Sequence, residues 1–220
     1  MNYRIVHTTR YRYAQSVAAS YNEAHLLPRS FTGQTVRGAS LAIDPPCQDY
    51  RDRQDFFGNT ASYFSIVDPH HVVTITAVSE VQLLPTRRQL SFGDGLDWQT
   101  AADWFAAPID PDVLDAAQFC LDSPLVRAAD ALRDYAAPSF TPGRPLADAA
   151  AELMARIHGE FVYDPAATDI ATPLGEVLQN RRGLCQDFAH LAIGCLRSHG
   201  LAARYVSGYL ETLPPPGQAK

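Results

Sequence analysis

The stretch Gly183-Leu184-Cys185-Gln186-Asp187-Phe188-Ala189-His190-Leu191 decides how the rest of the chain is read. Phe188, Ala189, Leu191, Ala192, Ile193, Cys195 and Leu196 cover nearly the whole circumference of a helix running from Cys185 to His199. A helix apolar on most sides belongs at the centre of its domain. Gly200 stands where a left-handed C-cap is needed. Cys185 falls in the first turn, where unpaired backbone N–H groups and the helix dipole favour negative charge. A thiolate is such a charge, and helix N-termini lower thiol pKa values into a range of about 3.5–7.5. The same N–H groups suit an oxyanion forming on a carbonyl. Gly183 lets the chain turn tightly before the sulfur. The physics leaves a second reading open, because a Cys among apolar residues is also a small buried hydrophobe.

Working outward, the residues before this helix are helical too. Leu146, Ala149, Ala150, Leu153, Met154 and Ile157 recur at three- and four-residue steps, which predicts a helix from Leu146 to Phe161. Pro173 opens another, through Val177 and Leu178. Residues 86–143 hold helical pieces separated by prolines, including one over Ala128 to Tyr135. After the Cys helix, Ala203 to Glu211 reads as a strand, and Leu213 to Lys220 as a Pro-rich tail.

The first third has a period of two. Tyr3, Ile5, His7, Thr9, Tyr11 and Tyr13 share one face, and Arg4, Arg10 and Arg12 the other. Strands are also predicted over Val36 to Ile43, Ala61 to Val67 and His71 to Leu84, with Phe57-Gly58-Asn59 as a turn, His70 and His71 as a turn before the last strand, and Pro85 as a stop. Short strands between turn residues predict an antiparallel sandwich. The reading is α+β with segregated parts: a β-sandwich over 1–85, a helical connecting region over 86–143, and an α+β core with a central Cys-bearing helix over 144–220.

Composition narrows the function. The 220 residues are 46% hydrophobic with a formal net charge of −6. No basic block exists to neutralise phosphates, since Arg87-Arg88 and Arg181-Arg182 are only doublets, so a nucleic-acid partner is not expected. Cys47, Cys120, Cys185 and Cys195 form no C-x-x-C pair, and neither the histidines nor the acidic residues make a metal spacing or a calcium loop. No cofactor and no metal are expected. Without a secretory h-region or a membrane span, a cytoplasmic protein is expected.

The run Arg182 to Leu191, followed by Cys195-Leu196-Arg197 and Gly200-Leu201-Ala202-Ala203-Arg204-Tyr205-Val206-Ser207-Gly208-Tyr209, closely resembles the transglutaminase-like superfamily. There a G-x-C-x-x-F-A motif opens the core helix, and L-R-x-x-G-[IL]-x-A-R-x-V-x-G-[YF] leads into the sheet. Phe161-Val162-Tyr163-Asp164-Pro165 and Thr172-Pro173-Leu174 resemble the bacterial, cysteine-protease-like branch, and residues 1–85 its β-rich N-terminal domain. The resemblance implies a papain-like fold and a Cys–His–Asp triad acting on protein or peptide amide bonds, by hydrolysis or transamidation. Cys185 carries over as nucleophile. Tyr163 stands where relatives place an oxyanion-stabilising Trp, and a phenol can donate equally well. Gln186 and Asp187, which follow the nucleophile, are candidate substrate-binding residues; Asp187 suits an arginine or a backbone N–H.

The family's His and Asp follow the G-[YF] strand, and neither motif occurs before Lys220. A truncated, inactive chain is the expectation, with sheet edges open to a second copy in a homodimer. The alternative is a binding or structural module on a fold without its triad. His190 lies five positions beyond Cys185, about 140° round the helix from it, and is not a substitute base. His199, near the helix end, is expected to complement the dipole when protonated. Cys195 is expected to be buried, Arg182 to favour the thiolate or be exposed, Arg204 to form an ion pair, and Trp98 and Trp104 to anchor the core or a domain interface.

Overall fold

The computed structural model describes residues 1–84, 93, 95–169 and 171–211; Pro85, the Arg87-Arg88 doublet and the tail Leu213 to Lys220 lie outside the described residues. The chain divides into two compact units, Met1–Gln89 and Leu90–Lys220.

The first unit holds β1 (Asn2–Val17), β2 (Ser20–Ala24), β3 (Gln34–Asp44), β4 (Asp49–Gln54), β5 (Thr60–Ile66) and β6 (His70–Leu83). They form two antiparallel three-stranded sheets, ordered β1-β6-β3 and β2-β5-β4. The alternation in β1 is real: Tyr3, Ile5, His7 and Thr9 are half-buried, whereas Arg4, Val6, Thr8 and Arg10 are exposed. Phe64 and Ile66 from one sheet and Val73 and Ile75 from the other share one core with Ala24, which makes the sandwich. The turn over Phe57-Gly58-Asn59 is set by the Asp55 carboxylate, which accepts the N–H groups of Phe57 at 2.9 Å and Asn59 at 2.8 Å, with Gly58 at φ 76°.

His70 is not part of a turn. It starts β6 opposite Val17 and is buried edge-on to Tyr13, with Nδ1–H donating to the Asp68 carbonyl at 2.7 Å. A His at a strand end reads as polar from sequence; here an aromatic neighbour and a backbone acceptor let it go inside.

The second unit holds α1 (Trp98–Ala106), α2 (Pro111–Ala117), α3 (Asp130–Ala136), α4 (Leu146–Glu160), β7 (Val162–Tyr163), α5 (Leu174–Asn180), β8 (Arg182–Gly183) and α6 (Cys185–Ser198). Helix α6 is central, lying against α3, α4 and α5. Its Leu191 and Cys195 join Leu132, Ala136, Leu153, Ile157 and Val177 in the core. Burying a Leu of this kind stabilises the fold by roughly 1.5–3 kcal/mol. The helix ends in a Schellman turn: Gly200 at φ 74° donates to the Arg197 carbonyl at 2.9 Å, and Leu201 to that of Leu196 at 3.0 Å. Leu201 then enters the core.

Three expectations change. Ala203 to Glu211 is not a strand. Ala203 donates to the Phe119 carbonyl and accepts from Arg197, and no ladder forms beyond it among the described residues. A strand exists only with a partner, and periodicity does not supply one. Trp98 is a core anchor, with its indole N–H donating to the Thr141 carbonyl at 2.9 Å, but Trp104 is exposed. Arg204 stacks over the Phe119 ring, 5.5 Å from its centroid.

Candidate active site

Cys185 is the first residue of α6, and its side chain is exposed. Leu184 precedes it in extended conformation, φ −95° and ψ 170°. Leu184 has no side-chain acceptor, so it leaves the first-turn N–H groups without the cap a Ser or Asp would supply. The polypeptide thus presents a sulfur beside backbone donors at the positive end of a helix.

A short parallel ladder frames this point. β7 pairs with β8, Val162 opposite Arg182 and Tyr163 opposite Gly183. Val162 donates to the Arg181 carbonyl at 2.9 Å, and Asp164 to that of Gly183 at 3.0 Å. Tyr163, 61% exposed, therefore stands alongside the residue two positions before the thiol. Gln186 is half-buried next to Cys185. Arg182 is exposed, with Nη1 3.7 Å from the Asp164 carboxylate.

Asp187 is turned inward and is only 5% exposed. Its Oδ2 accepts the Leu184 N–H at 2.7 Å and the Thr168 hydroxyl at 2.6 Å. This carboxylate, at the third position of α6, satisfies the backbone donor that enters the helix. It also gives Gly183 its reason. Gly183 is not in the left-handed region, so conformational freedom is not what the site takes from it. A Cβ at Gly183 would lie 2.6 Å from Asp187 Oδ2.

One further support has no signal in the sequence pattern. Arg181 closes α5 in the left-handed region, φ 53° and ψ 34°. Its guanidinium lies 4.6 Å from the Tyr135 ring centroid and 4.8 Å from that of Phe161, and pairs with Glu160 at 2.8 Å. Arg156 also lies 4.6 Å from the Tyr135 centroid. The stack ties the end of α5 to α4 and so places β8 against β7. Only a view of α3, α4 and α5 together would have found it, as with Thr168.

His190 and His199 have other partners. His190 packs edge-on to Tyr205, centroids 5.4 Å apart, and lines a cavity of about 230 Å³ with Ser123, Val126, Ile193 and Arg197; burial lowers its pKa. His199 corrects an expectation. It stacks on Phe140 at 4.5 Å and meets Trp98 edge-on at 5.4 Å, and burial lowers its pKa against the opposing effect of its bond to the Cys195 carbonyl. Its Nδ1 lies 3.0 Å from that carbonyl, and burial works against the charge expected at the helix end. Burial pushes the Cys195 thiol up to about 12, and raises Cys120 as well. All four cysteines are free thiols. Among the described residues no three His, Cys, Asp or Glu side chains gather as a metal set, and no helix is long and apolar enough to cross a membrane.

An exposed thiol at the head of the central helix of an α+β core is the arrangement of the papain-like class. Residues 133–217 match the transglutaminase-like superfamily, and residues 3–82 match the bacterial transglutaminase-like N-terminal region. An uncharacterized protein of Mycobacterium tuberculosis is 44% identical over 218 residues, spanning 98% of this chain and 68% of the relative. One from Mycobacterium leprae is 32% identical over 211 residues, spanning 94% and 71%. The crystal structure of a "Putative Cysteine Protease" from Cytophaga hutchinsonii superposes with a TM-score of 0.66 at 15% identity, over 92% of this chain and 67% of that one. The chain belongs to the transglutaminase-like superfamily, in the bacterial branch with the β-rich N-terminal region.

Proposed function

We propose that the protein is a thiol enzyme acting on protein or peptide amide bonds, with Cys185 as nucleophile. The single observation that carries this reading is the exposed sulfur at the first position of the buried, central helix. The thiolate attacks the amide carbonyl carbon, and the carbonyl electron pair moves onto oxygen. First-turn N–H groups and the Tyr163 hydroxyl are the donors proposed for that oxyanion. The C–N bond then breaks, the amine leaves with a proton from an imidazolium, and a thioester remains on Cys185. Water or a second amine attacks the thioester, gives up its proton to the imidazole, and regenerates the thiol.

His190 and His199 are committed to Tyr205 and to Phe140 with Trp98, so neither is the imidazole of this scheme, and that imidazole and its orienting Asp are proposed to lie beyond Lys220. Gln186, half-buried beside Cys185, is a proposed contact for substrate. No cofactor enters the scheme, and the protein acts away from membranes and nucleic acid, in the cytoplasm; pairing of sheet edges in a homodimer is proposed.

The test is to trap the acyl-enzyme. A protein that includes the proposed His and Asp, incubated with an activated peptide ester, should gain the mass of one acyl group on the tryptic peptide containing Cys185. The Cys185→Ser variant should show no thioester. Acylation elsewhere, or none at all, would replace the enzyme reading with that of a binding module.

A further inference from the structure

Two anchors hold the chain after β7 onto the start of α6, and they bracket the nucleophile. Asp164 donates to the Gly183 carbonyl at 3.0 Å, two residues before Cys185. Four residues after Asp164, the Thr168 hydroxyl donates to the Asp187 carboxylate at 2.6 Å, two residues after Cys185. Between the anchors the loop is a stiff turn. Ala167 donates to the Asp164 carbonyl at 3.2 Å, and Ala166 to the Asp164 carboxylate at 3.0 Å. Pro165, Ala166 and Ala167 stay exposed, whereas Thr168 is half-buried and Asp187 is buried. The oxygen that holds Thr168 also holds the Leu184 N–H, so one carboxylate oxygen sets both the helix start and the loop. A carboxylate buried this deeply makes no contact with substrate. It acts through what it holds.

We infer that Asp187 and Thr168 are positioning residues, and that the loop they pin, Asp164 to Thr168, is a wall beside Cys185 that limits the bulk of what reaches the thiol. This rests on the reading of Cys185 as nucleophile, and on the loop being held at both ends. A loop tied at one end only would swing away and admit larger groups.

Both donors converge on a single oxygen, so Asp187→Asn can keep both hydrogen bonds through its amide carbonyl. Thr168→Val keeps the shape and loses the hydroxyl, and Thr168→Ser keeps the hydroxyl. The experiment uses the 220-residue chain and measures the rate of Cys185 modification by iodoacetamide and by N-(1-pyrenyl)maleimide, with peptide mapping. Loss of one hydrogen bond should raise the bulky-to-small rate ratio by about two- to tenfold in Thr168→Val. Thr168→Ser and Asp187→Asn should keep the wild-type ratio, and Asp187→Ala should behave as Thr168→Val. If Asp187→Ala fails to fold, the Val and Ser pair at Thr168 decides alone. An unchanged ratio in Thr168→Val with Cys185 still reactive overturns the wall and leaves the nucleophile standing, as does a ratio that moves equally in the Val and Ser variants. A wild-type Cys185 no more reactive than the buried thiol removes the nucleophile first, and the wall with it.

Discussion

Cys185 and Cys195 sit on one helix, and their environments are opposite. At the head of α6 the sulfur is exposed, beside first-turn N–H groups and a two-stranded ladder. Further along, Cys195 is sealed among Leu132, Leu153, Leu191 and other core side chains, and burial pushes its thiol up to about 12. The residue type is the same and the helix is the same. What differs is access to water and the donors left unpaired at a helix end. A cysteine's chemistry is therefore a property of its position in the packed unit.

The largest expected effect tests this contrast directly. At pH 8 a thiol with a pKa of about 12 is roughly 10³-fold less ionised than an ordinary one near 8.5. Iodoacetamide should therefore modify the sealed Cys195 far more slowly than the exposed Cys185 in the folded chain, with equal rates in denaturant. Peptide mapping by mass spectrometry checks it, and similar folded-state rates would break the contrast.

Next comes the alkaline limb of stability. The Cys195 thiol has a folded pKa above its unfolded value, so its contribution is fully present below about pH 8.5 and is lost as pH rises toward about 12. Between those values wild type should lose up to about 1.4 kcal/mol per pH unit through this group. Cys195→Ala should be less stable by about 1–3 kcal/mol at pH 7, with the gap closing as pH rises. Urea denaturation at several pH values measures both curves, and parallel curves would argue against a sealed thiol.

The smallest effect compares two glycines on the same stretch. Gly183→Ala drives a Cβ to 2.6 Å from Asp187 Oδ2, an atom held by two hydrogen bonds, and should cost about 1–3 kcal/mol while slowing Cys185 alkylation. Gly194→Ala meets Leu132 Cδ1 at 2.8 Å, the terminal methyl of a core side chain rather than a hydrogen-bonded oxygen, and gains helix propensity. Its net cost should stay under about 1 kcal/mol, with Cys185 reactivity unchanged. Thermal melts and alkylation rates of the two variants sharpen the contrast between the ends of α6.

Much of the fold was legible because it is written in near neighbours. The alternation of Tyr3, Ile5, His7 and Thr9 marked β1, the three- and four-residue steps marked α4, and Gly200 marked the end of α6. Cys185 was legible because helix starts are local. The role of Asp187 was not, since its second partner, Thr168, lies 19 residues upstream. Nor was the lowered pKa of His199, a ring buried against Trp98 and Phe140 from other parts of the unit. Ala203 to Glu211 has strand-like composition, but a strand is made by a ladder and not by one chain's alternation.

The sequence by itself determined the order of β elements before helices, the central helix and the cysteine at its head, because helix and strand periods arise from backbone geometry shared by every chain. The tertiary structure alone decided which thiol is exposed and which is sealed, why Gly183 must lack a side chain, and which carboxylate ties Thr168 to the start of α6. Those depend on atoms meeting across tens of residues, where packing density and unpaired hydrogen-bond donors set the outcome.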